Sequence, residues 1–436
     1  MRPKYKKDEP VIELLTSPDD FKNIPDCFGE VRREQWESWQ WQKANSFVVN
    51  YADSIEMKKA TMKKISDAVG LPVENYQELE TTLKIWNVLI TPHQILQIRH
   101  KIIQGDKESA LALFKTVNPS VLESQHQQKV IQIKIDGTGV GYRKEERYST
   151  PENPEPKSIK RLYDDRIILA PTLECATLCR YCFRRAEAGR IKEINWQEGI
   201  DYIRKWNSAH QKSEQIRDVI LSGGDPLSLP DEKIKNLLGQ AKTIPGVKFL
   251  RLDTKYPVAM PQRITPELTK ILGDYVDYMY LHFTHPAEIS PETKKVCLRL
   301  AEKNIMLGSY TPLLKGINDS RETLKNLFWS LLAECRVRPY YLVHFIETLG
   351  AQHFKAPLEK AVKLLDGLQT KLSGPAVPPL VLYLPGGGEK YVFGVNRSPI
   401  KRTRGGYWIP SPLHNGKPML YPDPIPENER FGEFEF

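Results

Sequence analysis

The chain has 436 residues, of which 40% are hydrophobic, and 63 Lys and Arg against 54 Asp and Glu give a net charge of +9. That suffices for two or three structural units with an ordinary core, and the basic residues are scattered rather than gathered into a nucleic-acid-binding patch. The basic start, Met1 to Lys7, has no apolar stretch behind it, and no run reaches the ~18 apolar residues of a membrane span, so no signal peptide or membrane anchor is expected and a cytoplasmic location is.

From Leu14 to about Thr116 the periodicity predicts amphipathic helices. Trp36 and Trp39 fall three apart, on one face of a helix, and are read as core packing. Thr91 is placed to cap a helix that Pro92 begins. Residues 1–150 are therefore expected to form a mainly helical domain, closed by a proline-rich linker at 149–156. Beyond it, β-branched runs alternate with helical periods. Arg166-Ile167-Ile168-Leu169 precedes a helix at 196–208. Asp218-Val219-Ile220-Leu221 precedes one at 231–242, and Lys248-Phe249-Leu250-Arg251-Leu252 one opened by Thr265-Pro266. Residues 278–282 precede a helix opened by Ser290-Pro291, and Ile305-Met306-Leu307 one at 321–335, before a last strand at 340–345. Six β–α repeats over residues 151–395 predict an α/β fold, a partial (β/α)6 barrel with its site at the C-terminal ends of the strands. Residues 396–436, rich in Pro, Gly and aromatics, read as a C-terminal arm suited to a subunit contact.

Six cysteines in so long a chain are no disulfide scaffold. Cys27, Cys297 and Cys335 are solitary and are expected to be small buried hydrophobes. Cys175, Cys179 and Cys182 form C-x3-C-x2-C directly after the first barrel strand. Zinc sites usually take four ligands, and no fourth Cys or His stands close. Three cysteines on a 4Fe–4S cluster leave one iron open for a small molecule; zinc with a distant fourth ligand is the other reading of the spacing. The second strand ends in Ser222-Gly223-Gly224-Asp225-Pro226, where a glycine pair lets the backbone approach a ligand and a carboxylate can accept from an ammonium group. The fourth ends in His282-Phe283-Thr284-His285-Pro286, a further source of donors.

The cysteine spacing after the first strand resembles the radical S-adenosylmethionine superfamily. From residue 36 to about 394 the chain is similar to the lysine 2,3-aminomutases. The matching motifs include Trp39-Gln40-Trp41-Gln42, Cys182-Phe183-Arg184-Arg185, Pro261-Gln262-Arg263-Ile264-Thr265-Pro266-Glu267-Leu268, Gly316-Ile317-Asn318-Asp319, Arg338-Pro339-Tyr340-Tyr341 and Leu384-Pro385-Gly386-Gly387-Gly388-Glu389-Lys390. The resemblance implies three cofactors: a 4Fe–4S cluster, S-adenosylmethionine and pyridoxal 5′-phosphate. It implies S-adenosylmethionine at Ser222, Gly223, Gly224, Asp225 and His282, and the pyridoxal Schiff base at Lys390. Tyr163 and Arg166 would hold the phosphate, and Arg184 the substrate's α-carboxylate. The implied activity is an isomerase that moves an amino group from C2 to C3 of an L-α-amino acid. An electron donor such as flavodoxin or ferredoxin is implied as a partner, as is a homo-oligomer, with no nucleic acid.

Dehydration, decarboxylation or oxidation of an amino acid on the same cofactors, or a non-catalytic iron–sulfur sensor, are the other readings. Ile346 and Tyr383 stand where lysine-specific members carry two aspartates. A buried ammonium without a carboxylate is costly, so lysine is expected to be a poor substrate, and arginine or a neutral or aromatic amino acid a better one; a lysine enzyme with a rearranged pocket is the alternative. Glu347, adjacent, is expected to point elsewhere. Ser320 replaces a zinc-binding cysteine and none follows Cys335, so no structural zinc is expected. Tyr310 replaces a glutamine that contacts S-adenosylmethionine, and Glu389 a glycine beside Lys390.

Overall fold

Side-chain caps fix where the N-terminal helices begin. In the computed structural model, which describes residues 23–73, 76–125, 154–189, 194–346, 348–384, 390–393, 400–403, 405–411 and 417–423, Ser38, Ser54, Thr91 and Asp106 each accept a backbone N–H of the first turn. Those donors would otherwise go unsatisfied. The elements are α1 (Arg33–Trp36), α2 (Trp39–Ala44), β1 (Phe47–Val49), α3 (Ile55–Val69), α4 (Tyr76–Ile85), β2 (Val88–Ile90), α5 (Pro92–Ile103), α6 (Lys107–Val117) and α7 (Leu122–Gln125). β1 and β2 pair antiparallel, Phe47 opposite Ile90, a ribbon the helical reading did not contain. The expected helix through Trp36 and Trp39 is broken, because the Ser38 cap ends one helix and starts the next. Trp36 is buried, and Trp39 packs half-buried against the barrel core under the guanidinium of Arg263, 4.8 Å from the ring centre. This unit has its own core of Val49, Met62, Ile65, Leu83, Ile90 and Ile95. The linker expected at 149–156 lies largely outside the described residues.

The second core is built on one nine-stranded sheet. β4 (Arg166–Leu169), β5 (Asp218–Leu221), β6 (Phe249–Thr254), β7 (Tyr278–His282), β8 (Met306–Pro312), β9 (Arg338–Val343) and β10 (Leu380–Tyr383) run parallel in that order. Antiparallel edges close it: β3 (Ile159–Lys160) beside β4, and β11 (Lys390–Val392) beside β10. The order is linear from β11 to β3, so the barrel is partial. The six expected strands are all present; β10 is a seventh parallel strand. The crossovers carry α8 (Trp196–Ala209), α9 (Asp231–Lys242), α10 (Tyr256–Ala259) with α11 (Pro266–Tyr275), α12 (Pro291–Ala301), α13 (Arg321–Cys335) and α14 (Leu358–Gln369). Alternation along each strand sorts the two faces. On β6, Leu250, Leu252 and Thr254 are buried towards the helices, whereas Phe249, Arg251 and Asp253 lie on the other face, that of the lumen. The helix-side layer joins Val219, Leu252 and Met279 to Ile203, Leu238 and Leu272.

Cys297 on α12 and Cys335 on α13 are buried side by side, their thiols hydrogen-bonded. Cys27, expected inside, is exposed. Ser320 caps α13 through the N–H of Thr323. The described part of the arm, β12 (Lys401–Thr403), β13 (Gly406–Pro410) and β14 (Pro418–Pro422), is an antiparallel sheet that packs onto its own chain. Ile400, Tyr407, Ile409 and Tyr421 join the barrel core. No described helix is long and apolar enough to cross a membrane.

Candidate active site

The loop after β4 carries the three cysteines, and two neighbours hold it. On one side the N-terminal unit accepts: Leu178 N and Thr177 Oγ1 both donate to the Leu89 carbonyl (3.1 and 2.9 Å), and Arg180 N to that of Thr116 (2.8 Å). Beneath it, the fully buried Glu123 of α7 takes a two-point contact from Arg180 (2.9 and 2.5 Å) and a second ion pair from Arg185. Burial opposes the charge on Glu123, but the two guanidiniums hold its carboxyl below the usual range. On the other side lies the turn after β5. Gly224 N donates to the Thr172 carbonyl and Asp225 N to that of Glu174, both at 2.8 Å. A Cβ on Gly224 would stand 2.4 Å from the Glu174 oxygen, and Gly223 has φ +119°. The glycine pair expected to admit a ligand thus first admits the cysteine loop itself.

One cavity is lined by Cys175, Cys179, Cys182, Arg184, Ser222, Gly223, Gly224, Asp225, His282, Tyr310 and Ile346. Burial pushes all three thiols up, Cys182 to about 11, so a bound cation must draw off their protons. Among the described residues no three His, Cys, Asp or Glu side chains converge closely enough to hold a metal ion. A single ion needs its donors clustered tightly, whereas a four-iron cube binds each thiolate through a different iron and spreads them further. Three thiols around one cavity fit the cube.

Asp225 is buried, and burial raises its carboxyl to about 6. Its oxygens already accept from Thr254 Oγ1 (2.9 Å), Lys255 N (2.8 Å) and Leu227 N (3.2 Å). It thereby fastens the end of β5 to the end of β6. His282 is held neutral by burial, at about 4, and stacks on Tyr310 with ring centres 5.7 Å apart. Arg184 is 6% exposed, and its guanidinium makes no hydrogen bond or ion pair among the described residues.

Deeper in the lumen stands Lys390, opposite Tyr383 in the β10–β11 pair. Its ammonium nitrogen lies 4.9, 5.6 and 5.7 Å from the ring centres of Tyr341, Tyr383 and Tyr310. A register shift between Ser309 and Tyr310 sets Tyr310 opposite Tyr341; bulges re-aim side chains in this way. Burial, with Arg251 and Arg166 nearby, lowers the Lys390 amine to about 8. Its backbone N–H donates to Tyr163 Oη (3.3 Å), and the Arg166 guanidinium lies 3.8 Å from the Tyr163 ring centre. The structure thus brings Tyr163, Arg166 and Lys390 together. A poorly solvated amine between aromatic walls, with a guanidinium at one end, fits a pyridoxal phosphate. The glycine loop 385–389 and Glu347 lie outside the described residues. Tyr310 joins the two regions, touching His282 on one side and the Tyr383 hydroxyl on the other. Asp253, which the sequence reading passed over, lines the cavity and accepts from the Ser222 hydroxyl.

No family model matches the chain. It is 34% identical over 364 residues to the L-lysine 2,3-aminomutase of Fusobacterium nucleatum subsp. nucleatum, covering 83% of this chain and 77% of that one. To the L-lysine 2,3-aminomutase of Clostridium subterminale it is 31% identical, covering 84% and 80%. To the glutamate 2,3-aminomutase of Clostridioides difficile it is 33% identical, covering 82% and 76%. Among solved structures, a radical SAM methyltransferase from Sphaerobacter thermophilus aligns at 12% identity and a TM-score of 0.40, over 78% of this chain and 98% of that one.

Proposed function

The chain belongs to the lysine 2,3-aminomutase family, and on that premise we propose that it is an isomerase converting an L-α-amino acid other than lysine into a β-amino acid. One observation supports this above the others: the cysteine cavity is lined by a buried guanidinium unpaired among the described residues and by Tyr310, whose ring also faces an amine lowered to about 8. Cys175, Cys179 and Cys182 would hold the 4Fe–4S cluster. Ser222, Gly223, Gly224, Asp225 and His282 would receive S-adenosylmethionine, and Tyr163, Arg166 and Lys390 pyridoxal phosphate. When bound, these groups supply reversible hydrogen-atom abstraction and an aldehyde that carries the migrating nitrogen.

Arg184 receives the substrate's α-carboxylate, a task for a planar two-point donor, and so fixes Cα and Cβ between the two cofactor sites. Lys390, partly deprotonated near neutral pH, releases and recovers the cofactor's carbonyl carbon. The tyrosine walls exclude water. Ile346 and Tyr383 offer no carboxylate to a distal ammonium, which argues against lysine. A flavodoxin- or ferredoxin-like donor, a homo-oligomer and a cytoplasmic location belong to the same proposal.

Anaerobic incubation of the reconstituted enzyme with S-adenosylmethionine, pyridoxal phosphate, dithionite and the twenty amino acids tests it by mass spectrometry. Nitrogen moves from C2 to C3 and hydrogen moves back, so the product has unchanged mass. One such isomer, lost in Lys390→Ala, is expected. A product lighter by water or carbon dioxide would overturn the isomerase, and lysine converted as fast as any other amino acid would overturn its exclusion.

A further inference from the structure

Arg251 and Asp253 project into the same lumen, two residues apart on β6. Arg251 already has partners. It binds Asp218 through Nε (2.9 Å) and Nη2 (2.5 Å), and Tyr280 Oη through Nη1 (3.1 Å). Asp253 is not engaged in that way. One contact comes from the Ser222 hydroxyl, and its Oδ1 is buried without a hydrogen-bond partner among the described residues. The carboxylate lines the same cavity as Arg184 and Ile346. The cations that act on it most strongly are Arg251, Lys390 and Arg184, in that order.

Under the proposed function two of those cations, Arg251 and Arg184, are engaged elsewhere. Asp218 neutralises Arg251 and the substrate's carboxylate neutralises Arg184, while Lys390, an amine lowered to about 8, stands between three tyrosine rings. A substrate with an apolar side chain would bring Asp253 no donor and leave its second oxygen buried and unsatisfied, an arrangement proteins avoid. Resting on that proposed function, we infer that Asp253 receives a cation at the end of the substrate's side chain, so that the substrate class is a guanidinium-bearing amino acid, with L-arginine its simplest member. The guanidinium is preferred to an ammonium for two reasons. One free carboxylate oxygen beside a hydroxyl satisfies a planar, weakly hydrated fork better than a compact ammonium that needs several acceptors. Tyrosine faces also suit it: the lumen already seats Arg166 against Tyr163 and Arg251 against Tyr280.

L-Citrulline has the shape of arginine with a neutral urea in place of the guanidinium, and it is the probe. Calorimetric binding of each to the reconstituted holoenzyme, with product mass measured in parallel, tests the assignment. Arginine is expected to bind about 100-fold tighter than citrulline. Asp253→Asn should bring the two within about fivefold by weakening arginine while leaving citrulline unchanged. Equal binding to the wild type, or a preference that survives in Asp253→Asn, would overturn it, and the wild-type comparison requires no variant to fold. An isomer formed from a neutral amino acid, with arginine inert, would refute Asp253 and leave the aminomutase standing. Arginine held through Asp253 but converted to a product of different mass would sustain Asp253 and overturn the reaction.

Discussion

Lys390 is an amine whose chemistry is set by what surrounds it. An ordinary lysine at about 10.4 is almost wholly protonated at neutral pH and cannot attack an aldehyde. Burial and two arginines bring Lys390 to about 8, against the opposing pull of Asp253 and Asp218. Its free-base fraction is then about one tenth at pH 7, one half at pH 8 and nine tenths at pH 9. Pyridoxal phosphate uptake by the cofactor-free protein should accelerate about tenfold in all from pH 7 to 9 and then level off, followed by absorbance near 420 nm before the cluster is installed. A rate that keeps rising about tenfold per pH unit would mean an unshifted lysine. Arg184 is the second such position. Arg184→Lys keeps the charge but loses the planar fork, so KM should rise about 10- to 100-fold for every amino acid alike; a change confined to one substrate would remove Arg184 from the α-carboxylate. These residues were legible because motifs carry them. Asp253 was not, since the strand was read as ending at Leu252, whereas β6 runs to Thr254 and its alternation turns Asp253 into the lumen.

The elements explain why the cysteine loop has one shape. The turn after β5 presses against it so closely that only glycine fits at 224, while Glu123 on α7 anchors it from the opposite side. Gly224→Ala should force the two loops apart and lower iron content after reconstitution several-fold, with the thermal midpoint falling by only a few degrees; full iron loading would show that the contact is slack. Glu123→Gln differs in kind. It strands two buried guanidiniums, and breaking such a cluster costs about 3–5 kcal/mol, so its midpoint should drop clearly and iron should be lost with it. The first of these contacts touches a motif the sequence displays. The second joins residues 57 and 62 positions apart, and nothing in either segment announces the other. The β–α repeats were legible for the opposite reason, being local: caps at Thr265 and Ser290 and short β-branched runs each state an element where it stands. β10, β3 and β11 are short, and they exist as strands only by pairing with a sheet already formed, which no window of sequence contains.

At the scale of the whole molecule, the C-terminal sheet bears on selectivity as well as on stability. Tyr421 on β14 places its hydroxyl 2.5 Å from His344 Nδ1, and His344 Nε2 lies 2.8 Å from the Ala356 carbonyl. Burial holds His344 neutral, at about 3, so Nε2 donates and Nδ1 accepts from the tyrosine. His344 stands two residues before Ile346, which faces the cavity. Asp423 meanwhile caps α14 through Leu358 N (3.0 Å), and Arg402 pairs with Glu359. Burying Ile400, Tyr407, Ile409 and Tyr421 contributes on the order of 1.5–3 kcal/mol each, a sum comparable with the ~5–15 kcal/mol that keeps a domain folded. A chain ending at residue 399 should therefore aggregate or unfold at a much lower temperature, whereas Trp408→Ala, at a side chain 40% exposed, should change little. Tyr421→Phe separates the two roles of the arm. It keeps the ring in the core but removes the hydroxyl that steadies His344, so the midpoint should fall by a few degrees at most. The ratio of kcat/KM between the preferred amino acid and its nearest competitor should narrow several-fold. An unchanged ratio would confine the arm to stability and leave the pocket at Ile346 to be shaped by the barrel alone.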